Sequence, residues 1–430
     1  MKKKLLIIIS SLLVKAASAQ EFQTGAEFRP RFEYRNGFGQ LRAINDSLDN
    51  AASFTSQRSR LWFNYSNLGQ KIKLGAVLQD VRTWGTTEQL NIGDKNNFSI
   101  HQFWGELYFS DKFSFKAGRQ EFNYDNARIL GDVDWAQQAR SFDAGLLKYE
   151  TAGFKLHAAF GLNTKSETLT AESYDNANYK SLQFLWLNKT FKNTKASLLF
   201  LNNGIEFTKD PAKPPIYKNR DVAFSQTLGG RIEFQKNKFG FNTEGYFQGG
   251  KNNVNRKLEA FDLTAEVFVK PGKPVTVLAG NEWISGTATD RTGGKSSSFN
   301  PLYGTNHKFN GTMDYFFVGG RWNNKVGLID SYVSLKYAGT RFKTDLTAHA
   351  FNAYADVFSA GENLDKYLGL ETDLSGGYKI SELASVQAGF SVLSGSKTLQ
   401  FLTAGTDKSK LNTWGWAQLT LKPVFFTSSN

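Results

Sequence analysis

The sequence predicts an all-β fold, namely a transmembrane antiparallel β-barrel of about 18 strands with short periplasmic turns and long extracellular loops. Three observations predict it. Runs of about ten residues that alternate apolar and polar side chains repeat from Phe22 to Phe426, and the connectors between them alternate short and long. Aromatic residues make up 14% of the chain, yet its mean hydropathy is only −0.41. A barrel combines these properties because its lipid-facing side chains alternate with polar ones.

The alternation identifies each strand, because successive side chains of a strand point to opposite faces. In the first run, one face carries Phe22, Ala26, Phe28, Phe32 and Tyr34, and the other carries Gln23, Glu27, Arg29, Arg31, Glu33 and Arg35. The predicted strands are 22–35, 56–66, 71–83, 98–109, 113–121, 139–149, 153–163, 178–190, 194–203, 223–235, 239–249, 256–270, 275–285, 312–323, 328–340, 367–377, 383–394 and 411–425. Two segments fit this pattern less simply. Pro30 removes a ladder donor, which predicts a bulge or a locally unpaired position, and 194–203 is apolar on both faces.

The connectors fall into a short and a long class. The short ones include 66–70, 110–112, 236–238 and 270–274, and the long ones include 36–55, 204–222, 286–311 and 341–366. Tight turns on one side and long loops on the other are typical of outer-membrane barrels. An even number of strands places both chain ends on the short-turn, periplasmic side.

The first residues predict export. Three lysines precede the apolar run 5–14, and Ala17-Ser18-Ala19 follows it. This arrangement is typical of a secretory signal peptide, and the run is too short to cross a membrane as a helix. We therefore expect 1–19 to be a cleaved signal peptide and 20–430 to be one barrel domain in the bacterial outer membrane. The chain has no cysteine, which excludes disulfides and thiol chemistry.

Charge is segregated to one face of the predicted strands. The formal net charge of +13 becomes +9 without the four lysines of the leader. Within strands, basic residues lie opposite the aliphatic face, so we expect Arg29, Arg31, Arg58, Arg60, Lys155 and Arg231 to line the lumen. Acidic residues with the same phase are Glu27, Glu33, Glu106, Glu244, Asp262, Glu266, Glu371 and Asp373. One interpretation is that these charges pair with one another across the barrel wall and keep the interior hydrated. The other is that unpaired arginines attract anions. The basic residues lie within strands and form no surface stripe of the kind that binds nucleic acid.

Polar and aromatic residues are densest between 118 and 143. This stretch contains Gly118-Arg119-Gln120, Tyr124, Arg128, Gly131, Asp134-Trp135 and Arg140-Ser141-Phe142-Asp143. A second run, 300–311, reads Asn-Pro-Leu-Tyr-Gly-Thr-Asn-His-Lys-Phe-Asn-Gly and is followed by Met313-Asp314-Tyr315-Phe316. The first run resembles the signature of the alginate export family of outer-membrane barrels, and the second resembles a loop of its Bacteroidetes-type members.

The resemblance implies an 18-stranded barrel whose arginine-rich lumen passes an acidic polysaccharide. It also implies roles along the pore for Arg119, Arg128, Arg140 and Asp143, with Trp135 holding the intervening loop against the wall. The second run adds Tyr303, His307 and Lys308 as loop candidates. An alternative is that the arginines and aspartates tie a long loop to the strand ends, since charge-assisted hydrogen bonds do this well.

The function predicted from the sequence is an outer-membrane channel for anionic solutes, with an acidic polysaccharide or oligouronate as the candidate. Its expected partners are outer-membrane lipid and the barrel-assembly machinery, with no cofactor, metal or nucleic acid. A weakly selective general porin is one alternative, and an outer-membrane enzyme or adhesin barrel is another. The enzyme hypothesis has little support, because His101, His157, His307 and His349 show neither a catalytic constellation nor metal-ligand spacing.

Overall fold

The computed structural model describes residues 20–428 except 46, 68, 70, 90–96, 170–178, 211, 214–218, 292 and 324. The predicted signal peptide, 1–19, lies outside the described residues. The strands are β1 (Glu21–Asn36), β2 (Ala52–Ser66), β3 (Ile72–Thr83), β4 (Phe98–Tyr108), β5 (Phe113–Gln120), β6 (Phe142–Thr151), β7 (Phe154–Leu162), β8 (Ser181–Thr190), β9 (Thr194–Thr208), β10 (Arg220–Lys236), β11 (Phe239–Gly250), β12 (Ala260–Gly272), β13 (Val275–Ile284), β14 (Leu328–Ala338), β15 (Phe342–Asn352), β16 (Val357–Ser359), β17 (Glu362–Leu364), β18 (Tyr367–Ser381), β19 (Ala384–Gly395), β20 (Asn412–Leu421) and β21 (Val424–Thr427).

These strands form a closed antiparallel barrel. Each barrel strand pairs with its neighbour in sequence, and β1 closes the ring by pairing with β2 on one side and with β20 and β21 on the other. β16 and β17 form a separate hairpin in a loop, and β20 and β21 are one barrel strand interrupted at Lys422-Pro423. The described chain therefore forms an 18-stranded barrel, which confirms the predicted fold class.

Two strand assignments were wrong, and their errors cancel in the count. The segment predicted as strand 312–323 is a loop, in which Asp314 and Phe317 adopt left-handed φ angles of 59° and 61° that no strand contains. Conversely, β15 lies inside 341–366, which the sequence predicted to be one long connector. β15 follows the tight turn 339–341 and pairs with β14 and β18 along its length.

The strands present an apolar outer face and a mixed inner face. In β10, Phe224, Leu228 and Ile232 point outward and are exposed, while Thr227 and Arg231 on the other face are buried. The alternation follows the predicted phase, and the outer band provides a surface suited to lipid. Among the described residues, no helix is long and apolar enough to span a membrane; the α-helix α1 (Lys397–Leu402) is one short example.

The two irregular segments have structural explanations. Pairing of β1 with β20 keeps one register on both sides of Pro30, and in the described ladder Arg29 and Pro30 have no partner on β20. This is the locally unpaired position that proline predicted, without a bulge. In β9, Leu199 and Leu201 are buried inside the barrel while Leu198 and Phe200 face outward. One apolar face therefore belongs to the buried cluster, and the other belongs to the outer apolar band.

Two long loops enter the barrel and fill its interior. The first plug loop is 121–141, and the second plug loop is 285–327. They pair through a parallel bridge between Leu130 and Tyr303, and a Cβ on Gly131 would lie 2.2 Å from Oγ1 of Thr305. Glycine therefore permits the two plug loops to approach this closely. The apolar part of the first plug loop packs on a buried cluster of the barrel wall that includes Leu146, Leu182, Phe184, Trp186, Leu199 and Leu201.

Candidate functional site

Five arginines lie on the inner faces of β1 and β2, and we call this surface the arginine wall: Arg29, Arg31, Arg35, Arg58 and Arg60. The register of the two strands places Arg29 directly opposite Arg58. Among the described residues, ion pairs of 4.0 Å or less join this wall and Lys422 to three carboxylates: Glu27, Glu33 and Asp134. Six cations facing three anions leave the wall with a positive excess.

Asp134 of the first plug loop lies at the centre of the arginine wall. Its Oδ1 is 2.8 Å from Nη2 of Arg58 and 3.9 Å from Nη1 of Arg60. Its Oδ2 is 3.2 Å from Nη1 of Arg29. Burial raises the pKa of the Asp134 carboxyl, but the Arg58 and Arg29 guanidiniums act in the opposite direction and hold it below its usual value. Within the described part of the chain, Nη1 of Arg58 and Nη2 of Arg60 have no hydrogen-bond partner, so the wall retains unused donors.

A second charged surface covers the inner faces of β11 to β15 and β18, and we call it the carboxylate wall: Glu244, Asp262, Glu266, Glu282, Asp330, Asp345, Glu371 and Asp373. Across the described ranges, the cations within 4.0 Å of these acids are Arg128, Arg231, Lys336 and, if protonated, His349. This wall therefore carries more negative than positive charges. The sequence predicted that most of these acids point into the barrel, and the structure confirms this orientation.

Arg128 of the first plug loop is buried in the carboxylate wall. Its Nε lies 2.9 Å from Oδ2 of Asp262, and its Nη2 lies 2.8 Å from Oε1 of Glu282. Burial lowers the pKa of Arg128, but the two carboxylates raise it by more, so the guanidinium stays charged. The ion pair anchors the plug loop, because removing one member of a buried pair leaves the other charge uncompensated.

The second plug loop is held by the same wall through hydrogen bonds. Asn310 donates to Glu282 at 2.5 Å, and Thr312 donates its hydroxyl to Asp373 at 2.5 Å. The backbone N–H of Met313 donates to Oε1 of the fully buried Glu371 at 2.8 Å. The carboxylate wall is thus largely a docking surface for both plug loops.

Four rings form an aromatic partition at the centre of the barrel: Trp135, His307, Trp414 and Trp416. Trp135 stacks on His307 with centroids 4.4 Å apart, and it meets Trp416 at 4.8 Å with an interplanar angle of 73°. The Arg31 guanidinium carbon lies 3.9 Å from the centroid of Trp135, and Nη1 of Arg31 donates to the Trp135 carbonyl at 2.7 Å. The partition therefore joins the first plug loop to the arginine wall.

Three internal cavities surround these elements. The upper chamber, of about 530 Å³, lies towards the long loops and is lined by Arg31, Glu33, Arg35, Arg82, Arg140 and Asp314, among others. The lower chamber, of about 620 Å³, is lined mainly by the carboxylate wall. Both are lined by Trp135 and His307, which separate them. The mouth cavity, of about 420 Å³, opens beside the short turns and extends to Arg29 and Asp134.

The remaining loop candidates connect the two plug loops. Arg140 donates to the carbonyls of Tyr303 and Gly304, the latter at 3.2 Å, and burial lowers its pKa to about 10. The Tyr303 hydroxyl donates to Asn203 on β9 at 2.5 Å. Lys308 donates to the carbonyl of Asn126 at 2.9 Å and lines the lower chamber. These contacts support the predicted alternative in which motif residues hold loops in place.

Two predicted lumen residues lie on the inner face away from the arginine wall. Arg231 pairs with Glu233 at 2.8 Å and Glu244 at 3.3 Å and lines the lower chamber. Lys155 lies near the short turns, half exposed, and pairs with Glu150 at 3.5 Å. In the described residues, no group of three or more His, Asp or Glu side chains could hold a metal ion.

The prediction that Arg119 and Asp143 line the pore is wrong. The two residues face each other on β5 and β6 and pair at 2.8 Å, with side-chain exposures of 43% and 60%. They share their strands' faces with Phe115 and Leu147, which point outward. This pair therefore belongs to the outer rim of the barrel.

Sequence reasoning did not name three residues of the site as pore candidates. It placed Arg35 on the polar face of the first strand with Arg29 and Arg31, and period two could also have placed Trp416 inward, because Trp416 shares a face with the polar Gln418. Asp134 was part of the motif, but no periodicity indicates where a loop carboxylate will lie. Its position depends on the fold of the whole plug.

Comparisons with known structures agree with this architecture. The chain is similar to OccAB4 of Acinetobacter baumannii, with a TM-score of 0.60, 12% identity, and coverage of 94% of this chain and 98% of that one. It is also similar to OpdK of Pseudomonas aeruginosa, solved with vanillate, with a TM-score of 0.62, 12% identity, and coverage of 94% and 99%. OpdQ of Pseudomonas aeruginosa is similar with a TM-score of 0.58 and 11% identity, and the match covers 94% of this chain and 98% of that one. At these identities the likeness shows the fold.

The family comparison is more specific. No curated protein matches the chain significantly. Residues 20–400 match the profile of the family described as alginate export, which covers most of the chain. This membership places the protein in the bacterial outer membrane and makes it a transport channel, so the enzyme alternative is wrong. The chain belongs to the alginate export family of outer-membrane β-barrel channels.

Proposed function

We propose that this channel passes anionic solutes along the arginine wall and that its solutes are acidic saccharides, either oligouronates or an acidic polysaccharide. The observation that carries the proposal is a cationic excess in both cavities that adjoin this wall. The upper chamber is lined by four arginines and two carboxylates among its described residues. An anion entering from either end would therefore meet a favourable potential.

The mouth cavity extends this pathway to the short-turn end, which faces the periplasm in barrels of this kind. Its described lining includes the cations Arg29, Arg341, Lys343, Lys379 and Lys422 and the acids Asp134 and Glu382. Arg29 at the upper limit of this cavity is two residues from Arg31, which lines the upper chamber. One inner face of β1 thus connects both cavities.

The saccharide class is supported by the family to which the chain belongs, whose description is alginate export. Alginate is a polymer of uronic acids, and each sugar unit carries one carboxylate. Guanidinium groups bind carboxylates through charge-assisted hydrogen bonds, and Arg35 of the arginine wall lines the upper chamber with 35% of its side chain exposed.

Ion selectivity in planar bilayers tests the proposal. The purified channel in a KCl gradient should give a reversal potential of the sign that chloride preference requires. Arg58→Gln and Arg60→Gln should each reduce this preference, because each removes one cation from the wall. Arg119→Gln is the matched control, since it removes an arginine from the outer face and should leave selectivity unchanged.

Cation selectivity of the unmodified channel, or equal effects of Arg58→Gln and Arg119→Gln, would contradict the proposal. A weakly selective porin predicts a small reversal potential that none of these substitutions changes. In the described structure the plug loops and the aromatic partition divide the interior, which favours a selective channel over a wide general pore.

A further inference from the structure

The carboxylate of Asp134 occupies a position on the arginine wall that also suits the carboxylate of a solute. We propose that an incoming uronate carboxylate replaces Asp134 on Arg29, Arg58 and Arg60, and that Asp134 then returns and displaces the solute. We call these three arginines the exchange site. The inference rests on the proposed anion pathway and adds to it the residue that lets a bound anion leave.

The exchange site holds a carboxylate by both of its oxygens. Oδ1 of Asp134 lies 2.8 Å from Nη2 of Arg58 and 3.9 Å from Nη1 of Arg60. Oδ2 lies 3.2 Å from Nη1 of Arg29. Arg29 lies directly opposite Arg58 in the pairing of β1 with β2, and Arg60 is two residues further along β2. Since strand pairing fixes the backbone of all three arginines, they are arranged in advance for charge-assisted hydrogen bonds to a carboxylate.

Without Asp134 the exchange site would have a large cationic excess. In the described chain, the other carboxylate within 4.0 Å of its arginines is Glu27, which contacts Arg58 and also lies 3.0 Å from Lys422. Three arginines and one lysine would then face a single acid. The side chains of the three arginines are 6%, 1% and 10% exposed, so water compensates little of their charge. A second carboxylate, from the chain or from a solute, is therefore strongly favoured here.

A solute can reach the exchange site from the mouth cavity. Asp134 and Arg29 line this cavity, and 51% of the Asp134 side chain is exposed. The neighbouring residues 133 and 135–138 line the upper chamber instead. The exchange site therefore lies where the two cavities of the proposed pathway meet, and an anion that moves between them along the arginine wall passes it.

Exchange requires the rotation of one side chain and leaves the first plug loop in place. In the described structure, the polar contacts of the Asp134 carboxylate are all with the exchange site. The backbone that follows it is held independently. Arg31 donates to the carbonyl of Trp135 at 2.7 Å, and the Gln137 amide donates to Oγ of Ser56 at 3.1 Å. The Asp134 side chain can therefore leave and return while the loop keeps its position.

Exchange allows a strongly cationic site to release its ligand. A conducting site must bind an anion well enough for entry and weakly enough for departure. Three buried guanidiniums without an internal acid would retain a uronate, and an oligouronate with several charges would be retained longer. Asp134 provides a competing carboxylate at the same position, so the arginines are not left uncompensated when the solute departs.

Transport kinetics test the exchange. We would measure uptake of radiolabelled glucuronate into proteoliposomes that contain the purified channel. Asp134→Asn should lower the half-saturating concentration about fivefold, which is the effect of one unit charge about 4 Å away in water. It should also lower the maximal rate, because no internal carboxylate displaces the bound solute. Asp134→Glu, which keeps a carboxylate, should retain most of the unmodified kinetics.

The matched control is Glu382→Gln. Glu382 lines the same mouth cavity, but it pairs with Lys379 and not with the exchange site. The substitution removes one acid from the cavity and should leave both kinetic constants unchanged. Heat-dependent gel mobility should show that every variant is folded.

A vacant exchange site should also bind a free carboxylate. In Asp134→Ala, acetate should raise the temperature at which the folded barrel loses its characteristic gel mobility, because a ligand that binds only the folded state stabilises it. The same acetate should have a smaller effect on the unmodified channel, whose site is already occupied by Asp134. No effect of acetate on Asp134→Ala would overturn the exchange site.

The kinetic outcomes separate exchange from its alternatives. A higher maximal rate in Asp134→Asn at unchanged KCl conductance would mean that Asp134 acts only as a repulsive charge. A several-fold higher KCl conductance would mean that Asp134 holds the plug loop in place. Unchanged kinetics would mean that solutes bypass the site. Each of these results overturns the exchange, whereas cation selectivity of the unmodified channel would overturn the proposed function itself.

Discussion

The arginine wall and the carboxylate wall are both rich in charge, but they differ in how the plug contacts them. Asp134 is the plug carboxylate within 4.0 Å of the arginine wall in the described residues, and half of its side chain is exposed. The carboxylate wall holds the plug through the buried Arg128 and through hydrogen bonds from Asn310, Thr312 and Met313. Arg29 and Arg31 also donate to the first plug loop, to Gln137 and to the carbonyls of Ala136 and Trp135. Both walls therefore attach the plug, and they differ in the sign of the charge that remains.

This difference shows why the net charge of the lumen is a poor guide to its function. Acids of the carboxylate wall that lack a nearby cation still accept hydrogen bonds, as Glu266 does from Tyr332 at 2.7 Å. Buried polar atoms without a hydrogen-bond partner occur on both walls of the described structure, such as Nη1 of Arg58 on one and Oδ1 of Asp262 on the other. The two walls therefore differ in the sign of their excess charge, which favours an anion beside the arginine wall.

The largest effect should follow from Arg128→Gln. Without the guanidinium, Asp262 and Glu282 remain buried with no cation, and breaking a buried ion pair costs about 3–5 kcal/mol. We expect the first plug loop to detach, which would raise single-channel conductance and expose 121–141 to protease. Lys336→Gln is the matched control on the same wall, because its pair with Asp345 is partly exposed and should contribute about 0–1 kcal/mol. An unchanged conductance and a protected loop in Arg128→Gln would show that the plug is anchored elsewhere.

A smaller effect should follow from Asp134→Asn. This change removes one of three carboxylates from the arginine wall, so chloride preference should rise. A unit charge about 4 Å from a passing ion contributes about 1 kcal/mol in water, which limits the rise to about fivefold in the permeability ratio. Reversal potentials of both channels in the same KCl gradient would measure it.

The same substitution has a defined pH dependence. The arginines hold the pKa of Asp134 below its usual value, so its charge is present at neutral pH and is lost only as the pH falls through that lowered pKa. The two channels should therefore differ at pH 5 to 8 and converge in stronger acid. Asp345→Asn, on the other wall, should alter selectivity less. A larger change from Asp345→Asn would reverse the assignment of the pathway.

The barrel could be predicted from the sequence because lipid imposes one simple constraint on every strand. An outward charge is costly in the membrane, so period two places Arg58 and Arg231 inward without any knowledge of their partners. The same reasoning failed at 312–323, where a short alternating run lies inside the barrel and faces protein. It also missed β15, whose inner face carries His349 and whose outer face includes small residues such as Ala348 and Ala350.

The site was predicted only in part, for a different reason. Strand residues of the arginine wall follow from alternation, but the plug has no period. Among the described residues, nine of the twelve non-glycine positions with positive φ lie in the two plug loops, including Asp125, Val133 and Phe317. Such conformations are uncommon and persist only where surrounding contacts enforce them. The positions of Asp134 and Arg128 therefore depend on distant parts of the chain.

The smallest effect should come from the pair formed by Arg119 and Asp143. It tests whether this pair lies outside the arginine wall, on the outer rim of the barrel. The motif placed these residues in the pore, but alternation with Phe115 and Leu147 places them outward. Because both are exposed, a double-mutant cycle with Arg119→Gln and Asp143→Asn should give a coupling of about 0.2–1 kcal/mol in barrel stability. Neither substitution should shift the reversal potential. A shift as large as that of Arg58→Gln would mean that Arg119 contacts the permeating ion, and the arginine wall would then have to extend to β5.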